Sequence, residues 1–473
     1  MLNVLKNHNQ NNIAVITDEH SFDYLTLNEK IEVVCDFLQM EGVERIALCA
    51  SNSLDWLVVD LAAMSSNLLI VPVPDFFSEE QKQHVIYSCK VSHVISEKPT
   101  ADSKPLVGTG FFINEVGYHG DVALPEGTQK VTFTSGSTGT PKGVCLSRDN
   151  QLTVAKSLID VIGLSNPKHL SLLPFSTLLE NIAGIYAPLL CGGTVKIISD
   201  SKRGFSGSRL VDMQALLTTI AQSDAHTLNL VPELLKVLVV ACKQGWQPPQ
   251  SLKFVAVGGG KVDKALIAAA RECGLPVCQG YGLSEASSVV ALNTLEDNSD
   301  SSVGKLLPHV SGTIENGELV LKGNAFLGYL GEPKSWYQDT VHTGDLAEFK
   351  GDKLYLNGRA KNLIINSLGR NISPEWPESL LDATGLFSQA VVIGDGLSQL
   401  VALLMPLKGV ANEQIAASLA HINQALPDYA KLNHFILLDA PLSYEQGMLT
   451  ENGRFKRPAI NQTFLRQASS LVA

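Results

Sequence analysis

The chain carries no excess of positive charge. Its 36 Lys and Arg residues face 47 Asp and Glu, a formal net charge of -11. A general nucleic-acid binder needs clustered cations to neutralise phosphates, so that class is excluded. A single nucleotide is not excluded, because it needs only a local cationic site. Long apolar runs are missing too. None reaches the roughly 20 residues of a membrane span, and Met1-Leu2-Asn3-Val4-Leu5-Lys6-Asn7-His8 lacks the apolar core of a secretory signal. The eight cysteines (35, 49, 89, 145, 191, 242, 273, 278) form no Cys-x-x-Cys pair. That disfavours zinc and disulfide frameworks and suits reduced thiols in a cytoplasmic protein. No internal repeat or low-complexity segment occurs. What is present is 45% hydrophobic and 18% charged over 473 residues, a globular composition with room for about three units of typical domain size.

The first hundred residues alternate helix and strand patterns. Thr26-Leu27-Asn28-Glu29 reads as a capping box opening a helix that Gly42 ends. Arg45 to Cys49, Leu69 to Val73 and Val91 to Ile95 read as strands, with helices from Leu54 to Met64 and from Ser78 between them. Further helices are expected after Asp149 or Asn150, from Val211 to Ala221, from Val231 to Cys242 and from Val262 to Cys273. Strands are expected at Leu170–Pro174, Val195–Ile198, Phe254–Val257 and Pro276–Gln279. Such repeats predict an α/β fold with a doubly wound, mostly parallel sheet, whose ligands sit at the carboxyl ends of strands. Short alternating strands from Val303 to Tyr355 predict a small β subdomain. A boundary near Gly358 to Lys361 divides an N-terminal domain, 1–358, from a smaller α+β C-terminal domain, 359–473.

The Gly-Lys-Ser/Thr of a P-loop is absent. In its place stands Thr134-Ser135-Gly136-Ser137-Thr138-Gly139-Thr140-Pro141-Lys142-Gly143, after a strand ending at Phe133. Glycines let backbone N–H groups turn inward, small hydroxyl side chains leave room for phosphate oxygens, and Lys142 adds a point charge. A bare Ser/Gly surface loop has a similar composition. Farther along, Gly280-Tyr281-Gly282-Leu283-Ser284-Glu285 follows a predicted strand. A ring flanked by glycines can lie flat on a base, and a carboxylate there suits magnesium, a hard cation; a packed Tyr and a solvated Glu in a turn would look the same. Gly258-Gly259-Gly260, Thr343-Gly344-Asp345 and Gly358-Arg359 are weak signals singly. They suit a purine edge, a ribose, and ribose or phosphate oxygens in turn.

Taken in order, these segments resemble the adenylate-forming superfamily of acyl-CoA synthetases, adenylation domains and luciferases over nearly the whole chain. Leu173-Pro174-Phe175 with Glu180, Val231-Pro232-Glu233-Leu234-Leu235, and Gly358-Arg359-Ala360-Lys361-Asn362-Leu363-Ile364 look most like the long-chain acyl-CoA synthetases. The resemblance implies activation of a carboxylic acid, fatty or otherwise apolar, with ATP and Mg2+. Transfer of the acyl group to CoA, or to an acyl carrier protein, would follow. A non-catalytic nucleotide-binding member is the reading of another class, and the oligomer implied is a monomer or homodimer. By the same resemblance Thr134, Ser135, Gly136, Ser137, Thr138, Gly139 and Lys142 hold phosphates, and Gly258, Gly259, Gly260, Gly280, Tyr281, Gly282 and Ser284 hold the base. Asp345 and Arg359 hold ribose, Glu285 binds magnesium, and Lys361 is the hinge of a mobile C-terminal domain. Three departures stand out. Arg454 occupies the place of a lysine that reaches the reacting phosphate, with Lys456 two residues on as its substitute if the strand register differs. Thr177, beside Glu180 in the acyl region, replaces a histidine. Leu368, before Gly369, replaces a glycine facing the CoA path.

Overall fold

The structure, a computed structural model, describes the chain except residues 75–76, 119, 121, 135–141, 208, 261, 368–370, 451–452 and 473. Short apolar segments at Lys130–Thr134, Leu69–Pro72, Arg45–Cys49 and His93–Ser96 form, in that order, the parallel centre of an eight-stranded sheet. Antiparallel strands finish both edges. Lys142–Leu146 and then Gly328–Tyr329 follow Lys130–Thr134, while Phe112–Glu115 and Lys104–Pro105 lie beyond His93–Ser96.

A second sheet has thirteen strands. Its parallel half runs Ile13–Ile16, Thr194–Lys196, Lys168–Leu170, Thr227–Leu230, Phe254–Val257, Val277–Leu283. Past Val277–Leu283 every pairing is antiparallel, beginning with Ser288–Leu292. The β-rich stretch after Val303 is therefore joined edge-on to the doubly wound part. Packed in the main core, the helix Leu54–Ser65 is buried at Leu54 and from Trp56 through Met64, as a helix apolar on all sides must be.

The C-terminal region has its own three-stranded sheet, Phe387–Ile393, Leu400–Pro406 and Leu432–Leu437. Strand alternation splits its core in two. Ala390, Val392, Ala402 and Leu404 pack with Leu381, Ile415 and Leu419, whereas Val391, Ile393, Val401 and Leu403 pack with Ile460 and Ala468 of the last helix, Arg457–Val472.

Several helix ends differ from expectation, and each for a local reason. Asp23, not Thr26, caps the helix Tyr24–Met40, because its carboxylate accepts the Thr26 N–H. Ser147 caps Arg148–Ile162, and Asn150 returns the reciprocal bond from the third helical position. Asp212 caps Met213–Gln222. The helix expected from Ser78 is Glu79–Ser88, with Ser78 as its cap and Gln81 completing a capping box. Among the described residues no disulfide joins the cysteines and no helix is long and apolar enough to cross a membrane.

One element had no visible signature: Leu179–Tyr186 is a π-helix, a wider coil than a 3.6-residue pattern reveals. It ties the two large sheets together through two buried polar clusters. On one side the Lys130 ammonium, at the start of its strand, lies 2.8 Å from Asp60 Oδ1. It also donates to Asn181 Oδ1 at 2.6 Å and to the Tyr186 hydroxyl at 2.7 Å. Asp60 Oδ2 accepts from Tyr186 at 2.5 Å and from Asn181 at 3.0 Å. Burial lowers the Lys130 pKa, and the Asp60 charge opposes it. On the other side Glu180 Oε1 lies 3.1 Å from His169 Nε2, and Glu180 Oε2 accepts from Asn229 at 3.0 Å.

A buried ion pair broken at one partner strands the other charge, which costs about 3–5 kcal/mol, whereas replacing both is far milder. Lys130→Met is therefore expected to lower the unfolding free energy by about that amount in urea denaturation. Adding Asp60→Leu should recover much of the loss; equal losses in the single and double variants would count against the pair.

Candidate active site

The strand Val277–Leu283 pairs in parallel with Phe254–Val257 along its first half and antiparallel with Ser288–Leu292 along its second. The register slips between Tyr281 and Gly282. The slip requires glycine: a Cβ at position 282 would lie 2.0 Å from the Ser288 carbonyl oxygen. Returning from the one-turn helix Ser284–Ala286, the chain takes φ 63° at Ser287 and 120° at Ser288, a strained geometry that side-chain-bearing residues seldom adopt.

This bend delivers Tyr281 to the antiparallel half. Its hydroxyl donates to Asp345 Oδ2 at 2.5 Å. Burial first and the Asp345 charge second raise the tyrosine pKa, so the hydroxyl keeps its proton. Asp345 stands opposite Arg359 in the register of Thr340–Lys350 with Lys353–Arg359, and Arg359 Nε donates to its other oxygen at 2.8 Å. Gly258 follows the neighbouring strand so closely that a Cβ there would sit 3.4 Å from the Gly280 carbonyl oxygen. Gly259 has φ 78°, and Gly260 abuts Pro232 at the start of the helix Pro232–Lys243.

Arg454 reaches this corner from the C-terminal region. The turn that presents it is closed by Thr450 N–H to the Arg454 carbonyl at 2.7 Å and Gly453 N–H to the Thr450 carbonyl at 2.8 Å. Its Nη2 donates to the Gly259 carbonyl at 3.4 Å. Partial burial and then the Arg359 charge lower its proton affinity, while Asp345 and Glu233 oppose them, although the residue remains exposed to solvent. The Lys456 ammonium lies 5.6 Å from the centre of the Tyr444 ring. The alternation argument that linked the two positions needs a strand. Here there is a single bridge, Leu449 with Phe455, and the helix begins at Arg457.

At the other end of the cleft Lys142 opens the strand Lys142–Leu146. Its ammonium lies 3.0 Å from Glu332 Oε1 and 4.8 Å from the centre of the Tyr329 ring. The Tyr329 hydroxyl donates to Glu285 Oε1 at 2.8 Å. Contacts thus run from Lys142 through Tyr329 to Glu285, a second set four residues back along the chain joins Tyr281, Asp345 and Arg359, and Arg454 meets the Gly259 carbonyl, next to Gly258 at the Gly280 carbonyl. Neither Tyr329 nor Glu332 was visible as a site residue; the signal available was the short Gly328-Tyr329-Leu330-Gly331 run.

Other expected residues lie elsewhere. Glu180 is fully buried and bonded to His169 and Asn229. Thr177 donates to its own turn at the Pro174 carbonyl, 2.7 Å away. Lys361 is exposed in the one-turn helix Ala360–Asn362. Thr134 ends its strand. Ser135, Gly136, Ser137, Thr138, Gly139, Leu368 and Gly369 lie outside the described residues.

The AMP-binding enzyme family matches residues 4–330. The 2-succinylbenzoate–CoA ligase of Staphylococcus epidermidis is 27% identical over 412 residues, 82% of each chain. A Mycobacterium tuberculosis protein named for fatty-acid–CoA ligase activity, fadD11, is 28% identical over 333 residues, 59% of this chain and 58% of its own. Bacillus subtilis o-succinylbenzoate CoA synthetase shares the fold. Its complex with an acyl-adenylate intermediate superposes with TM-score 0.79 at 19% identity over 97% of both chains. Its complex with ATP and a magnesium ion gives 0.78 at 20% identity over 97% of this chain and 98% of that one. The chain belongs to the AMP-binding enzyme family and is an AMP-forming acid–thiol ligase.

Proposed function

We propose that this protein converts a carboxylic acid with an apolar body to its acyl adenylate and then to its CoA thioester, with 2-succinylbenzoate favoured over a fatty acid. The two sets of contacts, Lys142–Tyr329–Glu285 and Tyr281–Asp345–Arg359, with Arg454 on the Gly259 carbonyl, carry the reading. The order of acids follows the relatives: the one named for 2-succinylbenzoate aligns with 82% of the chain, the one named for a fatty acid with 59%.

In the first half-reaction the acid's carboxylate attacks the α-phosphorus of ATP in line, and pyrophosphate leaves. Charge builds on the equatorial oxygens and on the leaving group, so the chain's work is positioning and charge compensation. Lys142 and the loop before it take the β- and γ-phosphates. The Tyr281 ring takes the adenine face, with Gly258 to Gly260 along the base edge. Asp345 accepts from the ribose hydroxyls as Tyr281 and Arg359 share its oxygens. Arg454 meets the charge at the α-phosphate; its planar fork offers paired donors where a lysine offers a point charge.

Magnesium fits Glu285. One of its oxygens is held by Tyr329 and the other has no hydrogen-bond partner among the described residues. Mg2+ is usually held by one or two carboxylates together with phosphate oxygens. When bound, the ion neutralises phosphate charge. The working division of the chain is 1–358 and 359–473, with Lys361 as the hinge that carries Arg454 away and admits the thiol.

Two measurements test this reading. Arg454→Ala should lower acid-dependent pyrophosphate exchange by about 10²–10³-fold, the loss typical of one aligned donor to developing charge. Lys456→Ala should stay near the parent rate, and Arg454→Lys should keep measurable exchange. Equal losses at 454 and 456 would contradict the assignment. In an acid panel, exchange should be strongest with 2-succinylbenzoate, weaker with medium- and long-chain fatty acids, and should end in CoA thioester once CoA is supplied. Exchange with none of the acids would sink the proposal.

A further inference from the structure

We infer that Tyr329 is a positioning residue that couples the magnesium-binding carboxylate to the phosphate-binding lysine. The inference rests on the reading of Glu285 and Lys142 given above. Tyr329 lies in a two-residue strand, Gly328–Tyr329, far from both in sequence. Its backbone is fixed in register opposite Val144, two residues after Lys142, and the next residue, Leu330, donates its N–H to the Gly143 carbonyl at 2.8 Å. Just before it, the Phe326 N–H donates to the Glu285 carbonyl at 2.8 Å. One short segment is therefore bonded both to the exit of the phosphate loop and to the turn that carries Glu285.

The side chain repeats that connection. The hydroxyl donates to Glu285 Oε1 at 2.8 Å, while the ring face lies 4.8 Å from the Lys142 ammonium. A carboxylate gripped at one oxygen presents the other in a fixed direction. This is how partners behind a metal-binding carboxylate raise affinity without touching the metal. The ring supports the ammonium from beneath. The Glu332 carboxylate pairs with the same ammonium, but the two side chains are 46% and 48% exposed, so that pair is weak and easily exchanged for phosphate. Phe326 packs edge-on against the Tyr329 ring, centroids 4.9 Å apart, and limits its rotation.

The test separates the hydroxyl from the ring and uses binding in place of turnover. ATP binding to the full chain is followed by titration calorimetry, without acid substrate, while Mg2+ is varied. Tyr329→Phe should raise the Mg2+ concentration needed for half-maximal ATP binding by roughly 10-fold. ATP affinity at saturating Mg2+ and the melting temperature should stay near the parent values. Tyr329→Leu should show the same Mg2+ shift and, in addition, weaker ATP binding at saturating Mg2+. Glu285→Gln is the reference. If it moves the Mg2+ requirement and Tyr329→Phe does not, the coupling is refuted while the magnesium assignment stands. If Glu285→Gln itself leaves the requirement unchanged, the magnesium assignment fails and the inference falls with it.

Discussion

No side chain larger than a hydrogen atom fits at position 282, where the backbone passes against the Ser288 carbonyl. The site is built on that crowding. It lets one strand leave a parallel neighbour and turn back on itself as an antiparallel hairpin, so residues four apart face opposite ends of one cleft. Tyr281 meets Asp345 and Arg359; Glu285 meets Tyr329 and, across its ring, Lys142. The positive φ values at Ser287 and Ser288 are the local cost of the return, and backbone strain of this kind persists only where surrounding pairings over-determine it. Here those pairings are the sheet registers on both sides.

The second organising device is the π-helix. Its polar residues make opposite commitments, Glu180 to the thirteen-stranded sheet and Asn181 with Tyr186 to Lys130 of the eight-stranded one. Lys130 begins the strand Lys130–Thr134, so the same cluster that cements the two layers also fixes where that strand starts. A fully buried charge pair adds little net stability over an apolar equivalent. Its directional bonds, however, allow fewer relative placements of the two sheets than a greasy contact would.

Local chemistry made much of this legible. The loop before Lys142 and the glycines around Tyr281 stand out by residue type, Asp345 and Arg359 gain weight only from their order along the chain, and the strand pattern around them was readable because buried parallel strands are short apolar runs. The helix opening at Ser78 was legible, and the box that Ser78 forms with Gln81 lies within four consecutive residues. What stayed hidden depends on distance or on small differences in local competition. Asp23 wins the Thr26 N–H by geometry that no pattern shows. Glu180 has the look of a site residue and becomes structural only when His169 and Asn229 arrive from two other strands. Tyr329 acquires meaning from partners far away in the chain. The helix Arg457–Val472 buries only Ile460 and Ala468 fully, too thin a stripe to announce itself, and its start at Arg457 is what takes Lys456 out of register with Arg454.

The first strand of the large sheet has a consequence for how the chain acquires its shape. Ile13–Ile16 emerges early, yet its parallel neighbour is Thr194–Lys196, with Val15 opposite Val195. Until that later segment is synthesised, the early strand has only the short hairpin to Ser21–Asp23 to engage it, and a lone two-stranded hairpin is marginal in water. Non-local pairings of this kind form slowly and leave apolar edges open in the meantime. Assembly of the second sheet thus waits on its middle, and a nascent chain halted before that point would carry an open edge on which another polypeptide could template.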